Sequence, residues 1–413
     1  MAGEGFARRP FRCFLSYSHA NKQTVDSIYN WLTKQCGYRI WYDAVNFPSG
    51  LVPSSLGAAI EECQGAIIVL SSASIASGWV EQEWNIAIEQ RTRFPDFSIL
   101  LLRLDDCTPP VELRTRKWID IQTELSPDGA IQVVEAFHSR ETDPATIGRR
   151  QVYLSRGNRS NEIRFSNRVC DLLRQNSIRV VRDAPDQGRY DSDRVRRIME
   201  GCGALAAFVP HRGGGSTSKY ILNEIGIAKS LGIPSIIFVD PSVDFPSSVP
   251  FDPSIAYKVD LDGDGDEIAT EIVTRLSEES LEPVKPAHCF MGHSFKHDQA
   301  LYWPVARRAL QVATGLPCIS GDEVLGGDVQ EQIVDRIREA VFCVFDITDD
   351  RLNSCIEAGI AMGGRANYEL ICRVPRRRPP FMFRHRQVFF YETQADLVGL
   401  LARLAYPYRR IIA

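Results

Sequence analysis

No apolar run in the 413 residues reaches the ~18 to 20 needed to cross a bilayer, and the opening stretch "MAGEGFARRPFR" lacks the apolar segment of a secretory leader. There is no Cys-x-x-Cys, and the eleven cysteines are odd in number, which argues against a disulfide framework and for a reducing cytoplasm. Neither sign of charge dominates. At a formal net charge of -4, no general attraction to a nucleic-acid polymer or an anionic membrane is expected, so any such binding would need a local patch. With 44% hydrophobic and 24% charged residues, the composition is that of a globular protein and not of a disordered one.

What is present is a repeat. Glu83-Trp-Asn-Ile-Ala, Glu224-Ile-Gly-Ile-Ala and Glu357-Ala-Gly-Ile-Ala recur at intervals of 141 and 133 residues. At ~100 to 200 residues per domain, the length allows two to four domains, and the spacing favours three. Each module opens on a strand-like run ("RCFLSYS", "QVYLSRG", "HCFMGHS"), continues through an amphipathic helix, and reaches a second strand ending at Asp43, Asp183 or Asp322. A Gly- or Pro-bearing loop, a short helix and an apolar strand come next ("GAIIVLS", "GALAAFVP", "AVFCVFDIT"), and then the glutamate helix. Apolar runs of four to seven residues alternating with helical patterns predict βαβ units around a parallel sheet covered on both faces. The expected architecture is therefore α/β, three flavodoxin-like or Rossmann-like domains in tandem, spanning 1–140, 151–280 and 286–413. Polar spacers at 138–150 and 277–288 separate them, and both are short enough for the domains to pack on each other.

Ligands of open parallel sheets bind beyond the carboxyl ends of the strands. In the first module that edge gathers Ser16, Tyr17, Asp43, Ser71 and the start of the Glu83 helix, where Trp79 sits one turn before the glutamate. The loop after Asp43, with Phe47, Pro48 and Gly50, suits a lid. "FLSYSHAN", "WYD" with "FPSG", and "AIIVLSSASIASGWVEQEW" resemble a TIR domain in the order that domain uses, over about Arg12 to Phe137. Val80 stands where the family usually has cysteine. The resemblance implies cleavage of the nicotinamide–ribose bond of NAD+, with Glu83 catalytic, Trp79, Tyr17 and Phe47 enclosing the nicotinamide end, NAD+ as substrate and no further cofactor. The alternative is a non-enzymatic adaptor, in which Glu83 is a solvated helix residue beside Glu81 and Glu89.

The third module carries Asp346-x-Thr, then Asn353-x-x-x-Glu357-x-Gly-x-Ala, and is similar to the nucleoside 2-deoxyribosyltransferase-like group, in which that glutamate attacks the sugar. The second module keeps Asn223 and Glu224 but has "FVPHRGGG" in place of "FDITDD", so it is expected to lack catalysis. Both are expected to act as nucleotide sensors, with pure oligomerisation as the competing account. "RVPRRRPPFMFRHR" adds Arg376, Arg377 and Arg378 beside two phenylalanines, and guanidinium forks suit phosphates as rings suit bases. A solvated, proline-stiffened loop is the competing account of that stretch.

The overall plan is similar to bacterial TIR-SAVED effectors, whose paired halves bind a cyclic oligonucleotide. That likeness implies an immune effector activated by a nucleotide or cyclic oligonucleotide and by self-assembly into a homo-oligomer or filament. A nucleoside-processing enzyme using Glu357 is the third alternative. Two metal patterns are discounted. Asp260, Asp262, Asp264, Gly265 and Glu271 match a calcium loop but come after a strand, and Cys289, His293 and His297 begin on a strand rather than on one helix. No metal is expected.

Overall fold

The computed structural model describes residues 13–46, 54–94, 97–121, 125–138, 150–157, 159, 162–183, 190–214, 216–245, 249–252, 256–263, 265–278, 281–283, 287–293, 302–323, 329–348, 352–364, 366–374, 380–408 and 411–412. Three sheets succeed one another along the chain. The first contains β1 (Cys13–Ser16), β2 (Ile40–Trp41), β3 (Gly65–Leu70), β4 (Ser98–Arg103) and β5 (Trp118–Asp120), all parallel, in the order β2-β1-β3-β4-β5. The second contains β6 (Gln151–Ser155), β7 (Arg179–Arg182), β8 (Ala204–Val209), β9 (Ser235–Val239) and β10 (Tyr257–Lys258). The third contains β11 (Cys289–Gly292), β12 (Cys318–Ile319), β13 (Phe342–Asp346), β14 (Tyr368–Arg373) and β15 (Phe389–Tyr391).

All three share one winding. In each, the second strand to appear in the chain lies beside the first, and the third lies on the first strand's other side. The central strands are wholly buried, as their unbroken apolar runs require when helices cover both faces. The register repeats too: Ser16 pairs with Ile68, Ser155 with Ala207 and Gly292 with Phe345, each the fourth residue of its module's third strand. One addition breaks the pattern. β16 (Ile411–Ile412), at the end of the third segment, joins the second sheet antiparallel to β7.

Helices α1 (Lys22–Asn30), α2 (Asp43–Asn46), α3 (Ser54–Glu62), α4 (Ser72–Ile75), α5 (Gly78–Arg93) and α6 (Pro127–His138) surround the first sheet. Around the second are α7 (Arg164–Gln175), α8 (Ser192–Glu200), α9 (Lys219–Leu231) and α10 (Asp266–Glu278). Around the third are α11 (Trp303–Thr314), α12 (Val329–Glu339), α13 (Leu352–Gly363) and α14 (Gln394–Ala405).

The first and third modules share a core. α1 continues into a wider π turn (Trp31–Gln35), and this segment and α6 pack on α11 and α14, burying Trp31, Leu32, Val133 and Val134 with Leu310, Val312, Leu397 and Leu401 in one cluster. The Trp31 indole donates to Ala395 O at 2.9 Å and the Arg403 guanidinium to Lys34 O at 2.7 Å. The pairing is close to two-fold, since the first and last helices of one module meet the last and first of the other. The second module's equivalent helices carry exposed charges instead, Arg164, Asp171 and Arg174 on α7 and Glu267 and Glu271 on α10. All eleven cysteines are buried and no disulfide joins them. Among the described residues no helix is long and apolar enough to cross a membrane.

Candidate active site

A cleft of about 250 Å³ opens at the carboxyl edge of the first sheet, between the ends of β1 and β2 and the start of α5. Tyr17, His19, Asp43, Trp79 and Glu83 line it. Helix α5 starts there because Ser77 caps it, accepting from Val80 N at 3.5 Å. One turn then sets Trp79 and Glu83 on the same side, the tryptophan 46% exposed at the mouth and the glutamate 6% exposed below it. Glu81 and Glu89, on the same helix, are not buried with it. Glu83 is therefore not one of a set of solvated carboxylates, as the adaptor alternative would have it.

Ser16 donates its hydroxyl to Glu83 Oε2 at 2.5 Å. Burial nevertheless pushes the Glu83 pKa up from its ordinary 4.5 to about 7, against the lowering pull of hydrogen bonds from Ser16 and Trp79 and with a further upward push from the charge on Asp43. Across the cleft, His19 Nε2 lies 3.0 Å from Asp43 Oδ2. The sequence pattern does not single out His19, whose one signal is its place after Ser18. The Tyr17 ring packs against Tyr42 and His19 at centroid distances of 5.3 and 5.5 Å. Ser71 does not line the cleft. Its hydroxyl caps α4, accepting from Ser74 N at 3.0 Å, and donates to Asn21 Oδ1 at 2.7 Å. Phe47, Pro48 and Gly50 lie outside the described residues.

In the third module, Glu357 is 8% exposed. It fills the space left by two missing side chains: a Cβ at Gly292 would collide with its Oε2, and one at Gly321 would come within 2.8 Å of its Oε1. Burial, and then the neighbouring Asp322, raise its pKa to about 8. Asp346 is committed elsewhere, accepting from Thr348 N at 2.9 Å and from the Tyr391 hydroxyl at 2.5 Å. Asn353 is exposed on α13. Arg376, Arg377 and Arg378 lie outside the described residues, as does His297.

In the second module, burial raises Glu224 to about 7, opposed by Ser155 and Tyr153, and Asn223 Nδ2 donates to the Tyr190 hydroxyl at 2.8 Å. Residues 260–263 form a turn, with Asp262 N donating to Asp260 Oδ1 at 3.0 Å, and Glu271 lies in α10, while Asp264 is outside the described residues. Among the described residues no group of three potential metal ligands gathers.

The model of the TIR domain family matches residues 13–134. Among solved structures, the TIR domain of the Toll-related receptor TRR-2 from Hydra magnipapillata is 14% identical, with 27% of this chain and 83% of that one covered at a TM-score of 0.24. The C-terminal domain of glucosamine-fructose-6-phosphate aminotransferase from Francisella tularensis is 10% identical, with 69% and 95% covered at a TM-score of 0.20. Neither overlap is deep enough to bear on fold or function. No curated protein matches the chain. The family match spans the first sheet, its helices and the Glu83 cleft: residues 13–134 are a TIR domain, succeeded in the same chain by two further parallel α/β sheets.

Proposed function

We propose that the TIR domain is an NAD+ nucleosidase with Glu83 as its catalytic carboxylate. The observation that carries this is the burial of Glu83 beneath the exposed ring of Trp79, on a helix whose other carboxylates face water. In the reaction the bond between ribose C1′ and the nicotinamide nitrogen breaks, and its electron pair neutralises the departing pyridinium. Positive charge develops on the ribose as the bond breaks, and water adds at C1′ and loses a proton to solvent, giving ADP-ribose and nicotinamide. A carboxylate ~4 Å away at an effective dielectric near 20 is worth roughly 4 kcal/mol to that charge before desolvation is counted. Held in a cleft, the carboxylate needs little reorganisation as the charge appears. Trp79 offers a π face to the cationic nicotinamide. At about 250 Å³, against the ~300 to 1,000 Å³ usual for ligand sites, the cleft suits one end of a dinucleotide.

The wider reading is a cytoplasmic bacterial immune effector, silent until a nucleotide or cyclic oligonucleotide binds the second and third modules and the TIR domains assemble. The TIR family also contains adaptors, for which the output is binding alone. The burial of Glu357 supports a further alternative, nucleoside processing in the third module. The test is NAD+ consumption by the wild type and Glu83→Gln, each with cyclic di- and trinucleotides and with deoxynucleosides supplied. Loss of turnover in the variant is expected. Equal turnover would refute the assignment.

A further inference from the structure

The positions that build the Glu83 cleft are repeated in the second module more closely than the sequence suggested. At the end of the first strand, in the same register, Ser16 and Tyr17 correspond to Ser155 and Arg156. Asp43 and Asp183 each come just after the second strand. Near the start of the glutamate helix, Trp79 and Glu83 correspond to Tyr220 and Glu224, and both aromatic rings stand open to solvent, at 46% and 60%. The third module has departed further, with Gly292 for the serine and Asn353 for the aromatic residue.

We propose that this edge of the second sheet is a binding site for a ribonucleoside 5′-monophosphate, with Tyr220 stacking on the base, Glu224 and Ser155 meeting the ribose hydroxyls, and Arg156 taking the phosphate. It rests on the nucleotide-sensing part of the proposed function and is independent of catalysis at Glu83.

Three observations support it. Tyr190 lies beside Tyr220 with centroids 5.0 Å apart, and Asn223 anchors its hydroxyl, so the exposed Tyr220 ring has a backing that holds it in place. Such a ring is a platform for a base. Arg156 stands where Tyr17 lines the first cleft. One of its terminal nitrogens donates to Ser166 Oγ at 2.8 Å and to Asn167 Oδ1 at 2.5 Å, while its buried Nε has no partner among the described residues. Burial, and then the neighbouring cation Arg182, depress its pKa to about 10, and a bound anion would relieve both effects. Finally, Asp183 is neutralised by Arg194 through bonds of 3.0 and 2.7 Å, so it does not repel a phosphate as a free carboxylate would. Arg156 and the neighbouring Arg182 oppose positive charge developing on a ribose, so this edge suits binding and not cleavage.

The test is equilibrium binding of AMP to the full chain, with adenosine and inorganic phosphate as controls. Tyr220→Ala is expected to weaken AMP binding by about tenfold or more, with Tyr220→Phe binding as the wild type. Arg156→Met is expected to lower affinity for AMP to that for adenosine, leaving adenosine unchanged. The exposed Tyr220 keeps the test decisive should Arg156→Met fail to fold. The proposal is overturned if the wild type shows no saturable AMP binding, if Tyr220→Ala binds AMP as the wild type does, or if only Trp79→Ala abolishes binding. NAD+ cleavage by Glu83→Gln is scored separately, so failure of the catalytic assignment leaves a distinct signature.

Discussion

Ser16 and Glu83 are 67 residues apart in sequence and joined by a buried 2.5 Å hydrogen bond. The bond acts on the proton affinity of the carboxyl: burial raises the Glu83 pKa to about 7, and Ser16 is the strongest influence pulling it down. Stabilising a developing cation requires the ionised form. kcat/KM for NAD+ should therefore rise with pH through about 7 and level off above it. Ser16→Ala should move that inflection to higher pH, with activity recovered in alkaline buffer. An unchanged inflection in a measured pH–rate profile would show that the serine is only a packing residue.

Trp79 separates binding from folding. Because its ring is 46% exposed, Trp79→Ala should leave the thermal midpoint nearly unchanged. Removing an aromatic face from a cationic ring costs about 0.5 to 2 kcal/mol, so KM for NAD+ should rise roughly two- to thirtyfold. Steady-state kinetics beside a melting curve checks both halves, and Trp79→Phe should restore most of the affinity.

Gly399 fixes how closely the TIR domain and the third module approach. A Cβ there would lie 2.9 Å from Gln35 Cβ and 3.1 Å from Cys36 Sγ, with Trp31 behind them. Gly399→Val should therefore cost about 1 to 3 kcal/mol by overpacking. Trp31→Phe, which loses the bond to Ala395 O, should cost about 1 kcal/mol. Denaturant titration of both variants is the check. Stability unchanged in both would mean that the shared core is not formed.

The strand and helix pattern was legible because buried parallel strands leave unbroken apolar runs such as "GAIIVL" and "ALAAFV". The Glu83 position was legible because Ser, Trp and Glu fall within a short stretch. Contacts between modules were not. α14 has apolar residues on nearly all its faces, which marks a helix covered on both sides, but nothing in its sequence says by what. Short-range pattern likewise gives no sign that Ile411 and Ile412 would pair with β7, more than two hundred residues away. Tyr220 was missed for another reason. The motif Glu-x-x-Ile-Ala begins at the glutamate, whereas the residue that distinguishes the copies lies one turn before it.

Glu357 ties the stability of the fold to pH. Its carboxyl is raised from 4.5 to about 8 by burial and by Asp322, with no hydrogen bond among the causes to lower it. Between those two values the folded chain holds a proton that the unfolded chain releases. The stabilisation from this group is complete below about pH 4.5 and is lost as pH rises through about 8, with a slope approaching 1.4 kcal/mol per pH unit in between. Glu83 and Glu224, each raised to about 7, add in the same direction. Unfolding free energy should therefore fall from pH 5 to pH 9, and Glu357→Gln, which keeps the shape between Gly292 and Gly321 and has no proton to lose, should flatten the decline. At pH 9 the variant should be the more stable protein. Urea titrations at pH 5, 7 and 9 give the sign directly, and a variant less stable than the wild type at pH 9 would mean that Glu357 is held ionised by a favourable partner.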